Sequence, residues 1–239
     1  MRFTSDITVR HLRHMGSDAM VVAAAKVSTT GEEAEKFALI EHAEGNYGLI
    51  NYLMKHRHGT PYEHGAATFY VHVPVFVWWE WVRHRIGFSY NLESSRYKKL
   101  EPVFWVPRRD RMMVPAKDHK PARPRFELAT EEQWQREVDR TKRASQIAYE
   151  LYEESLADGI CSEIARDKLP FNIYFSGWVT CNPRSMMAFI SLRTHNDNAR
   201  YISYPQAEID EAAQQMEATL QTHWPVVARA FNENGRVGP

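Results

Sequence analysis

The segment from Val75 to Tyr97 reads VFVWWEWVRHRIGFSYNLESSRY and joins a very aromatic run to a cluster of cations. Its apolar first half predicts a helix from Val75 to about Arg85 that is central and buried on most sides. Glu80 and Arg83 are three residues apart, which would place them on one face of this helix. Arginines beside tryptophans favour a partly buried anion site, because guanidinium groups pair bidentately with phosphate or carboxylate and tolerate desolvation. A charged helix end that only complements the helix dipole is the alternative.

The flanking sequence predicts an α+β fold, a small antiparallel sheet packed with a larger set of helices in a single domain over residues 1–239. The strand patterns are Ile7–Leu12 and Thr68–Val73, with Pro74 in the first turn of the following helix. The other predicted helices are Asp18 to about Ser28 with Asp18 as its cap, Glu32–Ala43, Tyr47–Met54, a helix from the capping box at Thr130 to Gly159, one capped by Asn182, and a last helix from Gln206 that bends near Pro225.

Composition excludes several classes of protein. Thirty basic and thirty acidic residues give a formal net charge of zero, so no overall field favours nucleic acid or an anionic membrane. The Pro-rich basic insert at about residues 100–125 is interpreted as a solvated loop, with a nucleic-acid patch as the alternative. Cys161 and Cys181 have neither zinc-site nor disulfide spacing, and no signal or membrane segment is recognisable. These features predict a cytoplasmic protein.

The segment Lys55–His64 contains three histidines and a glutamate, which raises the question of a metal site. Pro61 prevents a continuous helix, so His58 and His64 are not an i,i+4 pair of ligands. The sequence therefore predicts no metal ion here, and a polar turn is the simplest alternative interpretation.

The order of residues from Arg83 to Tyr97 resembles the RHRxxSxNExSxRY signature of the flavin-dependent thymidylate synthase family. Two departures are visible: Ile86-Gly87-Phe88 precedes Ser89 where the pattern has two residues, and Leu92-Glu93 stands where the pattern has glutamate first. Further segments resemble the family's ARVS, HxTPxEH, EVARxxLP, NxRSLxxFxxLR and QxEI elements, ending at Ser28, His64, Pro170, Arg193 and Ile209 respectively. The resemblance therefore covers most of the chain.

The resemblance implies specific site residues. Arg193 would polarise the pyrimidine, and with His58 it is the implied catalytic residue. Deoxyuridylate (dUMP) would be bound by Glu80, Arg83, Leu92, Glu93, Ser94, Ser95, Arg96, Arg166 and Arg193. FAD would be bound by Ser28, His58, Thr60, Glu63, Arg83, His84, Arg85, Ile86, Glu93, Asn182, Arg184, Ala188, Leu192 and His195. Ala188 stands where the family often has a polar residue, and His195 is out of register with the family's downstream histidine.

By the same resemblance, the chain would make dTMP from dUMP, with carbon from 5,10-methylenetetrahydrofolate and reducing equivalents from NADPH through FAD. The expected assembly is a homotetramer with sites shared between subunits. No enzyme nucleophile would be required, and Cys161 lacks the Pro-Cys-His context of the cysteine-dependent synthases. The alternatives are a non-catalytic nucleotide- or RNA-binding protein, a flavoprotein that methylates uracil in RNA, and a paralogue that binds nucleotide without reacting.

Overall fold

The computed structural model describes residues 1–39, 43–118 and 125–239. Residues 40–42 of the predicted helix Glu32–Ala43 and residues 119–124 of the basic insert lie outside the described residues. The strands are β1 Arg2–Thr4, β2 Thr8–Met15, β3 Ala66–Pro74, β4 Phe88–Leu92, β5 Val103–Trp105, β6 Met113–Pro115, β7 Phe126–Leu128 and β8 Tyr174–Cys181. The helices are α1 Asp18–Thr30, α2 Glu35–Ala38, α3 Tyr47–Lys55, α4 Val75–Trp81, α5 Glu131–Ala157, α6 Ser162–Ala165, α7 Pro183–Arg193, α8 Ala207–His223 and α9 Pro225–Glu233.

The contacts between residues divide the chain into two compact units. Unit 1 comprises Met1–Asp6, Val73–Trp78 and Glu93–Phe175, and unit 2 comprises Ile7–His72, Trp79–Leu92 and Ser176–Pro239. The prediction that residues 1–239 form one domain is not tested by this grouping and stays a prediction. No helix in the described ranges combines the length and apolar character that a bilayer crossing requires.

Unit 2 is built on a four-stranded sheet with the order β2-β3-β8-β4, in which β2–β3 and β4–β8 pair antiparallel. Alternate side chains of β3 are buried, including Phe69 and Val71 at 0% exposure. Helix α8 lies along β2, where the amide of Gln215 accepts from the Val9 N–H at 2.9 Å and donates to the Ile7 carbonyl at 2.8 Å. The small antiparallel sheet with a larger set of helices confirms the predicted α+β fold.

Unit 1 is organised around α5, which begins where the sequence predicted. Thr130 Oγ1 accepts from the Gln133 N–H at 3.2 Å, and the Gln133 side chain accepts from the Thr130 N–H at 2.8 Å, which completes the capping box. A buried cluster packs on this helix and consists of Leu100, Phe104, Tyr149, Tyr152, Ala165 and Ile173. The 100–125 insert is more regular than predicted, because β5 pairs with β1 and β6 pairs with β7.

The central helix is shorter than predicted. It ends at Trp81 instead of continuing to Arg85, and Pro74 is the last residue of β3. The Tyr90 hydroxyl lies 3.0 Å from the Trp81 carbonyl and 2.5 Å from the His84 carbonyl, so a side chain replaces the next helical turn. Val77, Trp78 and Trp81 are buried, and Trp79, at 49%, is the one exposed residue of α4, so the helix is buried on most sides as predicted.

Two local predictions were also wrong in detail. Asp18 does not cap its own helix: its buried carboxylate accepts from the N–H groups of Val226 and Val227 and caps α9. Burial raises the pKa of this carboxyl, and the two backbone hydrogen bonds oppose that shift. After Gly87 the chain forms β4, which pairs with β8. The described part of Glu32–Ala43 is a 3-10 turn followed by the short α2.

Candidate functional site

Helix α7 positions much of the candidate site in unit 2. Asn182 caps it as predicted, with its side-chain oxygen accepting from the Ser185 N–H at 2.8 Å, and Pro183 occupies the first helical position. The apolar side of α7 is fully buried, and Phe189 stacks on Trp81 with ring centroids 5.1 Å apart. The helix therefore presents its polar ends from a fixed support.

Arg193, at the last turn of α7, is bound through all three of its side-chain nitrogens. Nη1 pairs with the Glu80 carboxylate, Nη2 donates to the Glu80 carbonyl at 3.1 Å, and Nε donates to Nε2 of His84 at 3.0 Å. Its side chain is 20% exposed. Glu80 therefore pairs with Arg193 and not with Arg83, because α4 ends before Arg83 can share its face with Glu80.

His84 must be neutral to accept this hydrogen bond, so its proton resides on Nδ1. Burial, and secondly the positive charge of Arg193, lower the pKa of His84 to about 4, while Glu80 opposes the shift. The three side chains thus form a charged pair supported by a neutral imidazole. The arrangement holds the guanidinium in one orientation before any ligand is bound.

The turn after α4 carries exposed cations. Arg83, Arg85 and Ile86 are all exposed, Ile86 at 91%. Gly87 has φ +67°, and a Cβ at this position would lie 2.1 Å from Ser185 Oγ and 2.8 Å from Asn182 Nδ2. Only glycine allows this turn to pack so closely against the start of α7.

The predicted flavin-binding residues of α7 lie on one face. Arg184, Ala188 and Leu192 follow one another at four-residue intervals; Ala188 and Leu192 are exposed on a helix that is otherwise largely buried. Arg184 binds Glu63 at 2.6 Å and donates to the Pro239 carbonyl at 2.8 Å. A Cβ on Gly59 would lie 2.3 Å from Arg184 Nε, so the backbone beside His58 and Thr60 is in close contact with this arginine.

The remaining predicted flavin residues have separate settings. His58 and Thr60 are exposed on either side of Gly59. His195 is held by the Ser203 carbonyl at 2.9 Å and by Asp197 at 3.2 Å. The Ser28 hydroxyl hydrogen-bonds the Ala25 carbonyl at 3.2 Å, as helix-end hydroxyls commonly do.

Most of the predicted phosphate-binding residues belong to unit 1. Ser94 and Ser95 open the turn before Arg96, in which the Ser94 carbonyl accepts from the N–H groups of Tyr97 and Lys98. Ser95 is buried, Arg96 pairs with Glu163 at 3.1 Å, and Arg166 begins a 3-10 turn that follows α6 directly. This pairing places Arg96 beside the segment that carries Arg166.

Leu92 and Glu93, which stand where the signature has its glutamate, have different surroundings. Glu93 pairs with Lys98 at 2.8 Å and its side chain is 17% exposed. Leu92, the last residue of β4 in unit 2, is 39% exposed. The displaced glutamate therefore has a charged partner of its own within unit 1.

Sequence reasoning missed the residues that position this chemistry. Gly59 and Gly87 admit close backbone approach to α7, and Tyr90 closes the end of α4. A glycine next to an RHR cluster is a usable signal, because turns that need positive φ favour glycine. Tyr90 gave no comparable signal, since its role depends on strand β4 returning past the helix end.

A family model described as thymidylate synthase complementing protein matches residues 10–226. Relatives named flavin-dependent thymidylate synthase include those of Streptomyces avermitilis, 43% identical over 237 residues, and of Tropheryma whipplei strain TW08/27, 42% identical over 239 residues. Each match covers 99% of this chain, with 95% and 97% of the two relatives.

Solved structures give a consistent result. The crystal structure of PolB, a UMP/dUMP methylase from Streptomyces cacaoi bound with 5-Br dUMP, superposes with a TM-score of 0.90 and 40% identity over 100% of both chains. The same protein bound with 5-Br UMP gives a TM-score of 0.89 and 39% identity, covering 100% of this chain and 99% of that one.

The fold and the family match define an enzyme of the thymidylate synthase complementing class. More particularly, the chain belongs to the flavin-dependent thymidylate synthase family. The family resemblance read from the Arg83–Tyr97 signature is thereby confirmed.

Proposed function

We propose that this enzyme converts dUMP to dTMP, using a bound flavin, FAD. The family match over nearly the whole chain supports the reaction class. The observation that carries the proposal is the fixed Arg193 guanidinium, held by Glu80 and His84 at the end of α7. A preorganised donor of this kind stabilises negative charge that develops on a substrate in the transition state.

Arg193 has the catalytic role in this proposal. Its guanidinium stabilises negative charge on the pyrimidine as the ring carbon is made receptive to its new methyl group. Because all three nitrogens are already engaged, a pyrimidine oxygen binds by sharing Arg193 with Glu80 or by displacing it. Glu80 and Arg83 complete the proposed contacts to the nucleotide from unit 2, together with Leu92.

The phosphate of the nucleotide is assigned to unit 1. Arg96 and Arg166 supply the positive charge, and Ser94, Ser95 and Glu93 shape the turn that carries Arg96. Guanidinium forks match phosphate oxygens well, and Arg96 shares an exposed ion pair that an incoming dianion can replace.

The flavin is assigned to residues whose setting suits a large, flat anion. Arg83, His84, Arg85 and Ile86 form the cationic turn, and Asn182, Arg184, Ala188 and Leu192 belong to α7. His58, Thr60, Glu63, Glu93, Ser28 and His195 complete the proposed set. Exposed cations fit the diphosphate of FAD, and the exposed side chains of Ala188 and Leu192 on α7 fit an aromatic ring. When bound, FAD supplies hydride chemistry, while the side chains bind and orient the reactants.

No cysteine nucleophile is used in this proposal. Cys181 is buried, and burial raises the pKa of its thiol, which disfavours the reactive thiolate. Cys161 is exposed in unit 1. We predict that the double variant Cys161→Ser/Cys181→Ser keeps measurable turnover in an assay of dTMP formation. Loss of turnover at normal flavin content would contradict the prediction.

The co-substrates and assembly complete the proposal. NADPH provides reducing equivalents through FAD, 5,10-methylenetetrahydrofolate provides the carbon, and the chain forms a cytoplasmic homotetramer with sites shared between subunits.

UMP is the second candidate substrate, because the PolB structures are of a UMP/dUMP methylase in complex with analogues of both nucleotides. The two nucleotides differ only in the ribose 2′-hydroxyl. The decisive experiment measures bleaching of the flavin absorbance by NADPH and methylenetetrahydrofolate with dUMP, with UMP and with uracil-containing RNA. Product analysis then identifies the methylated nucleotide. A colourless protein that cannot be reconstituted with FAD would favour the non-catalytic nucleotide- or RNA-binding alternative.

A further inference from the structure

Three histidines in unit 2 lie together outside the proposed substrate and flavin residues. His11 and His14 belong to β2, and His223 is the last residue of α8. One ligand-capable atom from each, a ring nitrogen, lies within 4.8 Å of the other two. The ring centroids of His14 and His223 are 3.8 Å apart, and those of His11 and His223 are 4.6 Å apart.

A β-bulge explains why two of these histidines share a face of the sheet. Residues three apart in a regular strand point to opposite faces. In β2 the register shifts between His11 and Arg13, so that His11 pairs with Phe69 and His14 pairs with Ala67. Phe69 and Ala67 are two residues apart on β3 and face the same way. The extra residue in β2 therefore turns His14 to the side of His11.

The position of His223 depends on how α8 is fixed to β2 and on where α8 ends. The Gln215 side chain fixes α8 along β2 through hydrogen bonds to Ile7 and Val9. His223 follows about two helical turns later. The helix stops there because Trp224 leaves helical geometry, with φ −135° and ψ 60°, before Pro225 starts α9. The position of His223 is thus determined by backbone structure on both sides.

His11 has a ring nitrogen that is available to a metal ion. Its Nε2 is buried and has no hydrogen-bond partner among the described residues. Burial and His14 lower the pKa of His11, and a hydrogen bond with the Arg13 backbone opposes this shift. Metal-bound histidines commonly donate one ring N–H to a carbonyl, which fixes the tautomer and directs the other nitrogen's lone pair at the ion. An unpartnered buried nitrogen is otherwise costly.

We infer that His11, His14 and His223 bind a divalent transition-metal ion, with Zn²⁺ the best match. Imidazole ligands suit Zn²⁺, Cu²⁺ and Ni²⁺, whereas Mg²⁺ and Ca²⁺ require oxygen ligands. Zn–N bonds of about 2.0–2.1 Å bring tetrahedral ligand nitrogens to about 3.4 Å from one another. Rotation of the exposed His14 ring and of the His223 ring closes the remaining gap. Three histidines leave a fourth position for water or an external ligand.

The site would link the end of α8 to β2, at the point where α8 gives way to α9. A bound ion stabilises the folded state by mass action, because the unfolded chain does not hold the three rings together. The inferred site does not depend on the proposed reaction. Its test therefore uses readouts other than turnover.

The test is isothermal titration calorimetry of untagged, EDTA-treated protein with ZnCl₂, with MgCl₂ as the negative comparison. We expect one Zn²⁺ per chain and a higher Tm with Zn²⁺. His14→Ala and His223→Ala should each weaken binding at least about 10-fold, because losing even an outer partner of a ligand costs 10- to 100-fold. His56→Ala, an exposed histidine outside the cluster and outside the proposed site, is the matched control and should bind as the wild type does.

Electron paramagnetic resonance with Cu²⁺ provides a second readout that reports on the ligands directly. Nitrogen hyperfine structure should be present in the wild type and altered in His14→Ala. If either alanine variant is misfolded by circular dichroism, His14→Gln and His223→Gln replace them. Absence of Zn²⁺ binding to the wild type, or equal binding to the wild type and all the cluster variants, would overturn the inference and leave the cluster as a packing arrangement of imidazole rings.

Discussion

Arg193 and Arg96 belong to the same proposed set of nucleotide-binding arginines, yet their surroundings are opposite. Arg193 is 20% exposed and each of its three nitrogens has an acceptor on Glu80 or His84. Arg96 is 48% exposed and pairs with Glu163, whose side chain is 57% exposed. A guanidinium fixed on three sides suits a role in which orientation matters. A guanidinium in an exposed ion pair suits a role in which only its charge matters, because a ligand can replace the partner carboxylate.

The largest effect is expected for Arg193→Lys. A lysine keeps the charge but cannot donate in three directions to the Glu80 carboxylate, the Glu80 carbonyl and His84 at once. We expect kcat for dTMP formation to fall about 10²- to 10³-fold, the usual loss when a preorganised donor is removed. Flavin content should be retained. The measurement is steady-state turnover with absorbance-based flavin quantification.

Arg200→Lys is the matched control for this variant, because Arg200 is exposed and lies over the Tyr201 ring outside the proposed site. Its turnover should equal that of the wild type. If Arg193→Lys also kept wild-type turnover, the fixed orientation of Arg193 would not matter for the reaction, and Arg193 would not differ from Arg96 in this respect.

The contrast between these arginines also shows what the sequence could predict. Both were identified from motif positions, but the Arg193 setting depends on Glu80, which is 113 residues away in the chain. Local patterns gave the Thr130 capping box and the Asn182 cap correctly, because all the partners lie within three residues. The early end of α4 was not predictable, since it depends on Tyr90 returning in β4.

Asp18 illustrates the same limit. An aspartate before an apolar helical run is a good local cap, and the sequence gave no reason to prefer another role. In the fold, the carboxylate instead reaches the start of α9, more than 200 residues later. The bulge that puts His11 and His14 on one face could not be predicted either, because the register of β2 is defined only by its pairing with β3. Most helices and strands were therefore predictable from local sequence, and the partners across the chain were not.

His84→Gln tests whether the support of Arg193 is a neutral imidazole. The pKa of His84 in the folded state is about 4, below its ordinary value of 6.5, so the unfolded chain binds more protons between these values. The contribution of His84 to stability is therefore complete above pH 6.5 and is lost as the pH falls toward 4. Wild-type protein should lose about 2 kcal/mol more unfolding free energy between pH 6.5 and 4.5 than the variant, which keeps an acceptor but does not titrate.

Urea unfolding at the two pH values measures this difference. His56→Gln is the control, since His56 is exposed and its replacement should leave the wild-type pH dependence unchanged. Identical pH dependence in His84→Gln and the wild type would mean that His84 is not held neutral beside Arg193.

A smaller effect is expected for Arg96→Lys, measured as the Kd for dUMP by calorimetry. Lysine keeps the positive charge and loses the fork that matches two phosphate oxygens. We expect the Kd to rise about 10-fold, equivalent to about 1.4 kcal/mol, with kcat nearly unchanged. Arg140→Lys on α5, another exposed arginine of unit 1 in an ion pair, should bind dUMP as the wild type does. A fall in kcat as large as that of Arg193→Lys would show that Arg96 also requires a fixed orientation.

The smallest effect is expected for Glu163→Gln, which removes the acidic partner of Arg96 without touching the arginine. An exposed ion pair contributes little to stability, so the free energy of unfolding should change by less than about 0.5 kcal/mol. Arg96 no longer has to leave a carboxylate to bind the phosphate, and the Kd for dUMP should fall about 2- to 3-fold. Glu137→Gln, which removes the partner of Arg140 on α5, is the matched control and should leave the Kd unchanged. Weaker dUMP binding in Glu163→Gln would mean that the carboxylate positions Arg96, which would make the two arginines alike after all.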